Sequence, residues 1–398
     1  MKKKPLTASW MLLATLILAF AACEHLDDDV RTHVSGKAPL PSYITLEEVA
    51  QILSSVDLGS AQIGEVHDAV SASTGNGYDE EYTMKSLFES PGAGVGDTDA
   101  KADAAKTYDT PLRSLLSAAV NARYGTKAGG EVTAEEFLEA LSSSDVQIYW
   151  PYSENWDGSA APVITFDPED HSEKNIGFAA APDGSLRQVI VDEKMAWERP
   201  VWVVNRNDDA SFRTLEMLRR EDPDWGTGGG IISVKGEPVE NDVKTLVLRS
   251  FHAKRNYDSW FAGASEFFVK CGAVEKFTAK TLDDLQLYSP SITDFMVVVK
   301  RHQIGKDVPF DAVLVSEWTP QLENIAFMIT EDDGGSRTTW KSSAKVTVKS
   351  KSYGYDIDLP LNTSDDIVWR GQLTRRYIEK YSGDTGHFGD VDLVLELL

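Results

Sequence analysis

Positive charge is scarce in this sequence. Of its 398 residues, 39 are Lys or Arg and 63 are Asp or Glu, which gives a formal net charge of -24. Nucleic acids and anionic membrane surfaces are bound through basic patches that replace counterions. The charge balance therefore argues against both as partners. Hydrophobic residues make up 42% of the chain, which is the composition of a folded protein rather than a disordered one.

Several motifs that reveal a reaction from sequence alone are also missing. There is no His-Glu-x-x-His pair, no Gly-x-Ser-x-Gly elbow and no phosphate loop that ends in Gly-Lys-Ser/Thr. The seven histidines are scattered without metal-ligand spacing. The glycine-rich segments 92–96 and 226–230 do not clearly join a strand to a helix, which favours loops over nucleotide sites. No reaction is indicated by a local motif.

The N-terminus contains a signal for export. Three lysines, residues 2–4, precede an apolar run over residues 6–22 that is too short for a comfortable membrane span. Small residues precede Cys23, and this arrangement resembles the lipobox of bacterial lipoproteins, where the signal is removed and the cysteine is acylated. The resemblance implies that residues 1–22 are a signal peptide and that Cys23 is the lipid attachment site. The alternative is a plain secretory signal with an incidental cysteine.

An acidic segment, residues 24–29, follows Cys23 directly. It resembles the export tag that some Gram-negative bacteria use to send lipoproteins to the outer face of the outer membrane. A solvated linker is the alternative. Residues 23–41 lack apolar periodicity and predict a flexible tether, so that an acyl anchor at the outer membrane is the expected membrane contact. Cys271 then has no cysteine partner, and hydrophobic cores must stabilise the fold.

Hydrophobic periodicity predicts a multi-domain α+β protein. Residues 42–145 follow helical spacing, with Thr-x-x-Glu capping boxes at Thr45 and Thr133, and predict a small helical domain. From residue 146 the period becomes two, which predicts a β-rich middle region over residues 146–240. Little helix is expected in residues 241–398, which predict an antiparallel β-sandwich. Its expected strands cover residues 245–249, 266–269, 295–299, 312–315, 325–329, 345–349 and 391–397, with a buried helical turn at 294–299 as an alternative.

A segment of the C-terminal region resembles the first calcium loop of C2 domains. Asp258 precedes a small loop ending in Ser265-Glu266, and the apolar strand that starts at Phe267 follows. A second acidic loop, residues 331–335, leaves the strand 325–329 as the third loop of that family does. The resemblance implies a C2-like sandwich over residues 241–398. Since calcium takes six to eight oxygens, it also implies a calcium site, with the ligands Asp258, Glu266, Asp332 and Asp333. Solvated acidic turns are the alternative.

Aromatic and acidic side chains alternate at the end of one predicted strand. This patch is the predicted ligand-binding site and contains Trp150, Tyr152, Glu154, Trp156 and Asp157. A strand end whose aromatic residues cover the core is the alternative. We predict a non-enzymatic binding or adhesion module, stabilised by calcium, with an extracellular glycan or protein as ligand. The competing hypothesis is an extracellular hydrolase acting on glycans or peptides, which would need a carboxyl facing Glu154 or Asp157 across a cleft.

Overall fold

The computed structural model describes residues 39–89, 108–125, 132–180, 185–207, 212, 214–221 and 243–398. The predicted signal peptide, Cys23, the tether up to residue 38 and both glycine-rich segments lie outside these residues. Within the described ranges, no helix is long and apolar enough to cross a membrane. The fold is mixed α+β with mostly β-sheet, and the C-terminal sheets are antiparallel, as predicted.

Five helices precede most of the strands. They are α1 (Leu46–Ser54), α2 (Ser60–Gly75), α3 (Met84–Glu89), α4 (Leu112–Tyr124) and α5 (Ala134–Ser142). The side chain of Thr45 accepts a hydrogen bond from the backbone N–H of Glu48 and thereby caps α1. At α5 the capping box is complete, because the Glu136 carboxylate also accepts from the backbone N–H of Thr133. The local sequence signals for these two helix starts are confirmed.

The first sheet has six strands. They are β1 (Glu81–Thr83), β2 (Val146–Tyr149), β3 (Val163–Phe166), β4 (Lys174–Ala180), β5 (Leu186–Asp192) and β6 (Val201–Arg206). The order is β1-β2-β6-β3-β4-β5, and β3 runs parallel to β6 while the other neighbours are antiparallel. A short helix, α6 (Glu193–Glu198), connects β5 to β6, and α7 (Leu215–Glu221) follows later.

The helices bury their apolar stripes against one face of this sheet. Val49 and Leu116 of the helices share a core with Ile148, Ile164 and other strand residues. Amphipathic helices gain most of their stability from such packing rather than from their own propensity. The core therefore contains residues from both sides of position 145, and β1, which the helical spacing did not predict, pairs with β2 across that position.

The C-terminal region consists of two antiparallel sheets. Its strands are β7 (Lys244–Ala253), β8 (Ser265–Ala273), β9 (Ser291–Val299), β10 (Val308–Trp318), β11 (Leu322–Glu331), β12 (Arg337–Val348), β13 (Lys351–Asn362), β14 (Asp366–Thr374), β15 (Thr385–Phe388) and β16 (Val391–Leu397), with helix α8 (Arg375–Lys380). One sheet has the order β10-β7-β16-β15, and the other has β13-β12-β11-β8-β9 with β14 paired to β11. All seven predicted strands are confirmed, and residues 294–299 are a strand and not a helical turn.

Side chains from both C-terminal sheets form one core. Phe251 and Leu393 from the first pack in the same cluster as Phe267 and Phe327 from the second. Cys271 lies in this core and is buried. Burial raises the pKa of its thiol well above the ordinary range, which makes it a small core residue and an unreactive one.

The loop between β7 and β8 packs against the second face of the first sheet. Trp260 and Phe261 share a core with Tyr149, Val203 and other residues of that sheet. The Trp260 indole donates a hydrogen bond to the backbone oxygen of Glu173 at 3.0 Å. The first sheet is therefore covered by helices on one face and by this loop on the other.

Candidate functional site

The predicted ligand-binding patch forms much of the wall of a cavity of about 120 Å³. Four of the five predicted residues line it, namely Trp150, Tyr152, Trp156 and Asp157. The other lining residues are Asn155, Ala160, Ala196, Trp197, Glu198, Arg199 and Pro200. Ala196, Trp197, Glu198, Arg199 and Pro200 lie on α6 and directly after it, and no local motif in the sequence marked them. We call this space the aromatic cavity.

Two turns of the chain bring these residues together. After β2 ends, Tyr152 adopts a left-handed backbone with a φ of 60°, and a short 3-10 helix over Ser153–Asn155 follows. On the other side, α6 is capped by Asp192, whose carboxylate accepts from the backbone N–H of Met195. Trp197, near the end of α6, contacts the ring of Tyr152 and lines the same cavity as the 3-10 helix.

The aromatic rings of the cavity differ in exposure. Trp150 is 1% exposed and Trp197 is 57% exposed. The rings of Tyr152 and Trp197 meet edge to face with centroids 5.0 Å apart, and those of Trp150 and Trp156 meet at 5.4 Å. The ring of Trp150 is therefore buried beneath the cavity, whereas the ring of Trp197 has a surface that is open to a ligand.

Polar side chains surround the aromatic rings. Asp157 accepts hydrogen bonds from the backbone and hydroxyl of Ser159, which lower the pKa of its carboxyl and keep it ionised. Arg199 donates to the backbone oxygen of Ala161 at 3.1 Å, and Glu198 is exposed. Acceptors and donors are therefore both present at the cavity.

Glu154, the fifth predicted residue, interacts with a buried carboxyl instead. The Glu80 carboxyl donates a hydrogen bond to the Glu154 carboxylate. Burial and the negative charge of Asp79 raise the pKa of Glu80 to about 9. Although partial burial acts in the opposite direction, that hydrogen bond lowers the pKa of Glu154, helped by the charges of His302 and Lys300. At neutral pH Glu80 therefore keeps its proton and Glu154 is ionised.

We expect Glu80 to make the stability of the protein depend on pH. An unfolded glutamate loses its proton near its ordinary pKa of 4.5, whereas folded Glu80, whose pKa is about 9, keeps its proton up to about that pH. The free energy of unfolding should therefore fall as the pH rises through this window. Glu80→Gln should flatten the decline in urea unfolding midpoints between pH 5 and pH 8.5. Glu135→Gln, on the exposed face of α5, is the control and should keep the wild-type decline. If Glu80→Gln declines as steeply as the wild type, Glu80 is not the source of the pH dependence.

A second group of carboxyls lies at the base of the β7–β8 loop. Among the described residues, carboxylate oxygens of Asp258, Glu266 and Glu331 lie within 4.8 Å of one another. Asp258 and Glu266 belong to the predicted calcium site, while Glu331 was not among its predicted ligands. We call these three residues the acidic triad. Carboxylate oxygens at such spacing are suitable ligands for a hard cation.

Asp332 and Asp333, the other two predicted ligands, are not part of the acidic triad, although the backbone N–H of Asp332 donates to the backbone oxygen of Glu266 at 3.1 Å. The Asp332 carboxylate accepts from the backbone N–H of Gly334 and the amide of Asn362. Burial and the Asp365 carboxyl raise the pKa of Asp332 to about 6. Asp333 is exposed. The carboxylate at the end of β11 that reaches Asp258 and Glu266 is therefore that of Glu331.

No protein-family model, no curated protein and no solved structure matches this chain. The function must therefore be argued from the geometry of these sites.

Proposed function

We propose that the protein is an exported, lipid-anchored and non-enzymatic binding module that takes a carbohydrate into the aromatic cavity. The anchor would be Cys23, at the outer membrane with the protein facing the cell surface or the periplasm. Residues 42–145 and 146–240 would be its helical and β-rich parts, which share one core, and residues 241–398 would be its C2-like domain. The observation that carries the proposal is the combination of an open Trp197 ring with charged donors and acceptors around one small cavity.

A sugar ring fits the chemistry of this cavity better than an organic cation does. A sugar has apolar C–H faces for aromatic rings and hydroxyls that both donate and accept hydrogen bonds. A quaternary ammonium would use the rings and the carboxylates of Asp157 and Glu198, but it has no acceptor for the donors of Arg199, whereas a sugar hydroxyl matches both kinds of group. The volume of about 120 Å³ is below the roughly 300–1,000 Å³ of sites for drug-sized ligands, which supports a single ring or a chain end.

The geometry around Glu154 gives less support to the hydrolase alternative. Glycosidases separate their two carboxyls by roughly 5–9.5 Å so that the sugar and a water can react between them. Glu154 instead shares a hydrogen bond with Glu80, which leaves no such space between the two groups. The carboxyl with the raised pKa, that of Glu80, is buried and is not among the residues that line the aromatic cavity.

Trp197→Ala should weaken carbohydrate binding at least tenfold, because it removes the ring that is open to the ligand. The test is electrophoresis of the full chain in detergent through gels containing dextran, xylan or pectin, where binding retards the protein. Tyr381→Ala, an exposed aromatic outside the cavity, should keep the retardation. Retardation by none of a broad panel of polysaccharides, together with binding of choline in calorimetry, would overturn the proposal in favour of a cation site.

We also propose calcium as a structural ligand of the acidic triad. Three carboxylates within 4.8 Å repel one another when ionised, and a bound cation removes that repulsion. Asp258 precedes Trp260 and Phe261 in the β7–β8 loop and Glu266 follows them in β8, so the ion would stabilise the docking of this loop on the first sheet.

Calcium should raise the melting temperature of the protein. A ligand at a hundred times its dissociation constant stabilises a fold by roughly 2.7 kcal/mol, and millimolar calcium is the appropriate concentration for an extracellular site. The rise relative to chelator should be lost in Glu331→Gln and kept in Asp333→Asn. The same melting temperature in calcium and in chelator would rule out the site, and loss of the rise in Asp333→Asn alone would favour the ligand set predicted from sequence.

A further inference from the structure

The side chain of Tyr152 contacts one face of α6 through its hydroxyl and through its ring. Its hydroxyl donates a hydrogen bond to Glu193 at 2.7 Å, and its ring meets that of Trp197. Glu193 and Trp197 are four residues apart, a spacing that places side chains on the same face of a helix. A non-glycine residue with a left-handed backbone is held in place by its surroundings, and these two contacts supply them.

Arg301 in turn holds Glu193. Its Nε donates to Glu193 Oε1 at 2.6 Å, and a second guanidinium nitrogen lies 3.4 Å from Oε2. A third nitrogen donates to the backbone oxygen of Asp258 at 3.2 Å. The Arg301 side chain is only 10% exposed, so its charge is shielded from water. A planar guanidinium that faces both oxygens of a carboxylate fixes its orientation as well as its charge.

Lys300 and His302, the residues on either side of Arg301, each lie close to a glutamate beside the 3-10 helix of the cavity. Lys300 Nζ lies 3.9 Å from Glu80, whose carboxyl also accepts from the hydroxyl of Ser153. His302 Nδ1 lies 3.4 Å from Glu154. Three consecutive cationic or ionisable side chains after β9 therefore meet the acidic residues that surround the 3-10 helix of the cavity.

We propose that Arg301 is a positioning residue for the aromatic cavity: through Glu193 it fixes the Tyr152 hydroxyl and so the ring that separates the cavity from the core. Arg301 follows a strand of the C-terminal sheets, whereas the cavity is lined by residues 150–160 and 196–200. The C-terminal region thus determines the shape of a site that it does not line. This inference rests on the proposed function, because that function assigns a ligand to the cavity.

Hydrogen exchange of the full chain tests the inference without a ligand. Removing a hydrogen bond to a charged group changes a local equilibrium by roughly ten- to a hundredfold. Arg301→Gln and Tyr152→Phe should each speed exchange of the backbone amides of residues 153–157 by about tenfold. The double variant should be no faster than the single variants, because both break the same chain of contacts.

Arg375→Gln is the matched control. It removes an arginine that pairs with Glu379 at the same 2.6 Å on α8, outside the cavity, and it should leave exchange of residues 153–157 unchanged. Should Arg301→Gln fail to fold, Glu193→Gln takes its place in the same comparison. Unchanged exchange in Tyr152→Phe, or additive effects in the double variant, would show that Arg301 acts as an ordinary structural residue.

Polysaccharide retardation separates this inference from the proposed function. Faster exchange in a protein that no polysaccharide retards would leave Arg301 as the residue that positions Tyr152 and would reject the carbohydrate. If wild type is retarded, Arg301→Gln should need about tenfold more polysaccharide for the same retardation, and Arg301→Lys should recover only part of that loss. Equal retardation of Arg301→Gln and wild type would overturn the positioning role.

Discussion

Trp260→Ala should lower the free energy of unfolding by about 3–5 kcal/mol, which is the usual result of removing a large buried aromatic side chain. Trp260 is fully buried, and its ring lies 3.9 Å from that of Phe261. The substitution would open a cavity between the β7–β8 loop and the first sheet. It would also leave the backbone oxygen of Glu173 without the indole donor.

Urea unfolding followed by circular dichroism measures this effect, and Trp197→Ala is the matched control. Trp197 is 57% exposed, so its replacement should cost mainly its contact with the Tyr152 ring, which is about 0.5–1.5 kcal/mol. Trp197→Ala should therefore weaken carbohydrate binding, whereas Trp260→Ala should lower the free energy of unfolding. Equal, small changes in both variants would mean that the β7–β8 loop is not docked as described.

Cys23→Ala should release the protein from membranes into the soluble fraction. If the proposed acylation is the anchor, each buried methylene of the acyl chains contributes about 0.8 kcal/mol to membrane binding, and removal of the thiol eliminates all of it. Metabolic labelling with radioactive palmitate should disappear at the same time. Fractionation of cells and autoradiography of the purified protein provide the two measurements.

Cys271→Ala is the control for that experiment. Cys271 is buried in the C-terminal core and is inaccessible to an acylating enzyme, so the variant should keep both the label and the membrane association. Persistent labelling of Cys23→Ala would overturn the lipoprotein proposal, and membrane association without label would indicate an anchor of another kind.

Strands and helix starts with local signals were predictable, and those with mainly exposed side chains were not. The apolar alternation in residues 391–397 is read directly as a strand, and β16 spans that range. β14, by contrast, has only Leu373 buried, and its sequence shows no sustained apolar alternation. This strand exists because it pairs along β11, including Leu373 with Ile325, and such pairing has no signature in composition.

The aromatic half of the candidate site was predictable for a similar reason. Trp150, Tyr152 and Trp156 are close in sequence, and a local cluster of large rings at a strand end is visible without a structure. Trp197 follows a different strand, and only the order β1-β2-β6-β3-β4-β5 brings α6 to the end of β2. The orientation of Glu154 toward Glu80 depends on the pairing of β1 with β2, and periodicity cannot predict that pairing.

The sequence by itself therefore determined the period of each segment, the capped helix starts, the apolar strands and the aromatic patch, because each depends on residues within a few positions of one another. Tertiary structure decided which distant groups meet: Glu331 rather than Asp332 beside Glu266, and Arg301 beside Glu193. Such contacts join residues far apart in the chain, and only the packing of the sheets, short helices and loops brings them together.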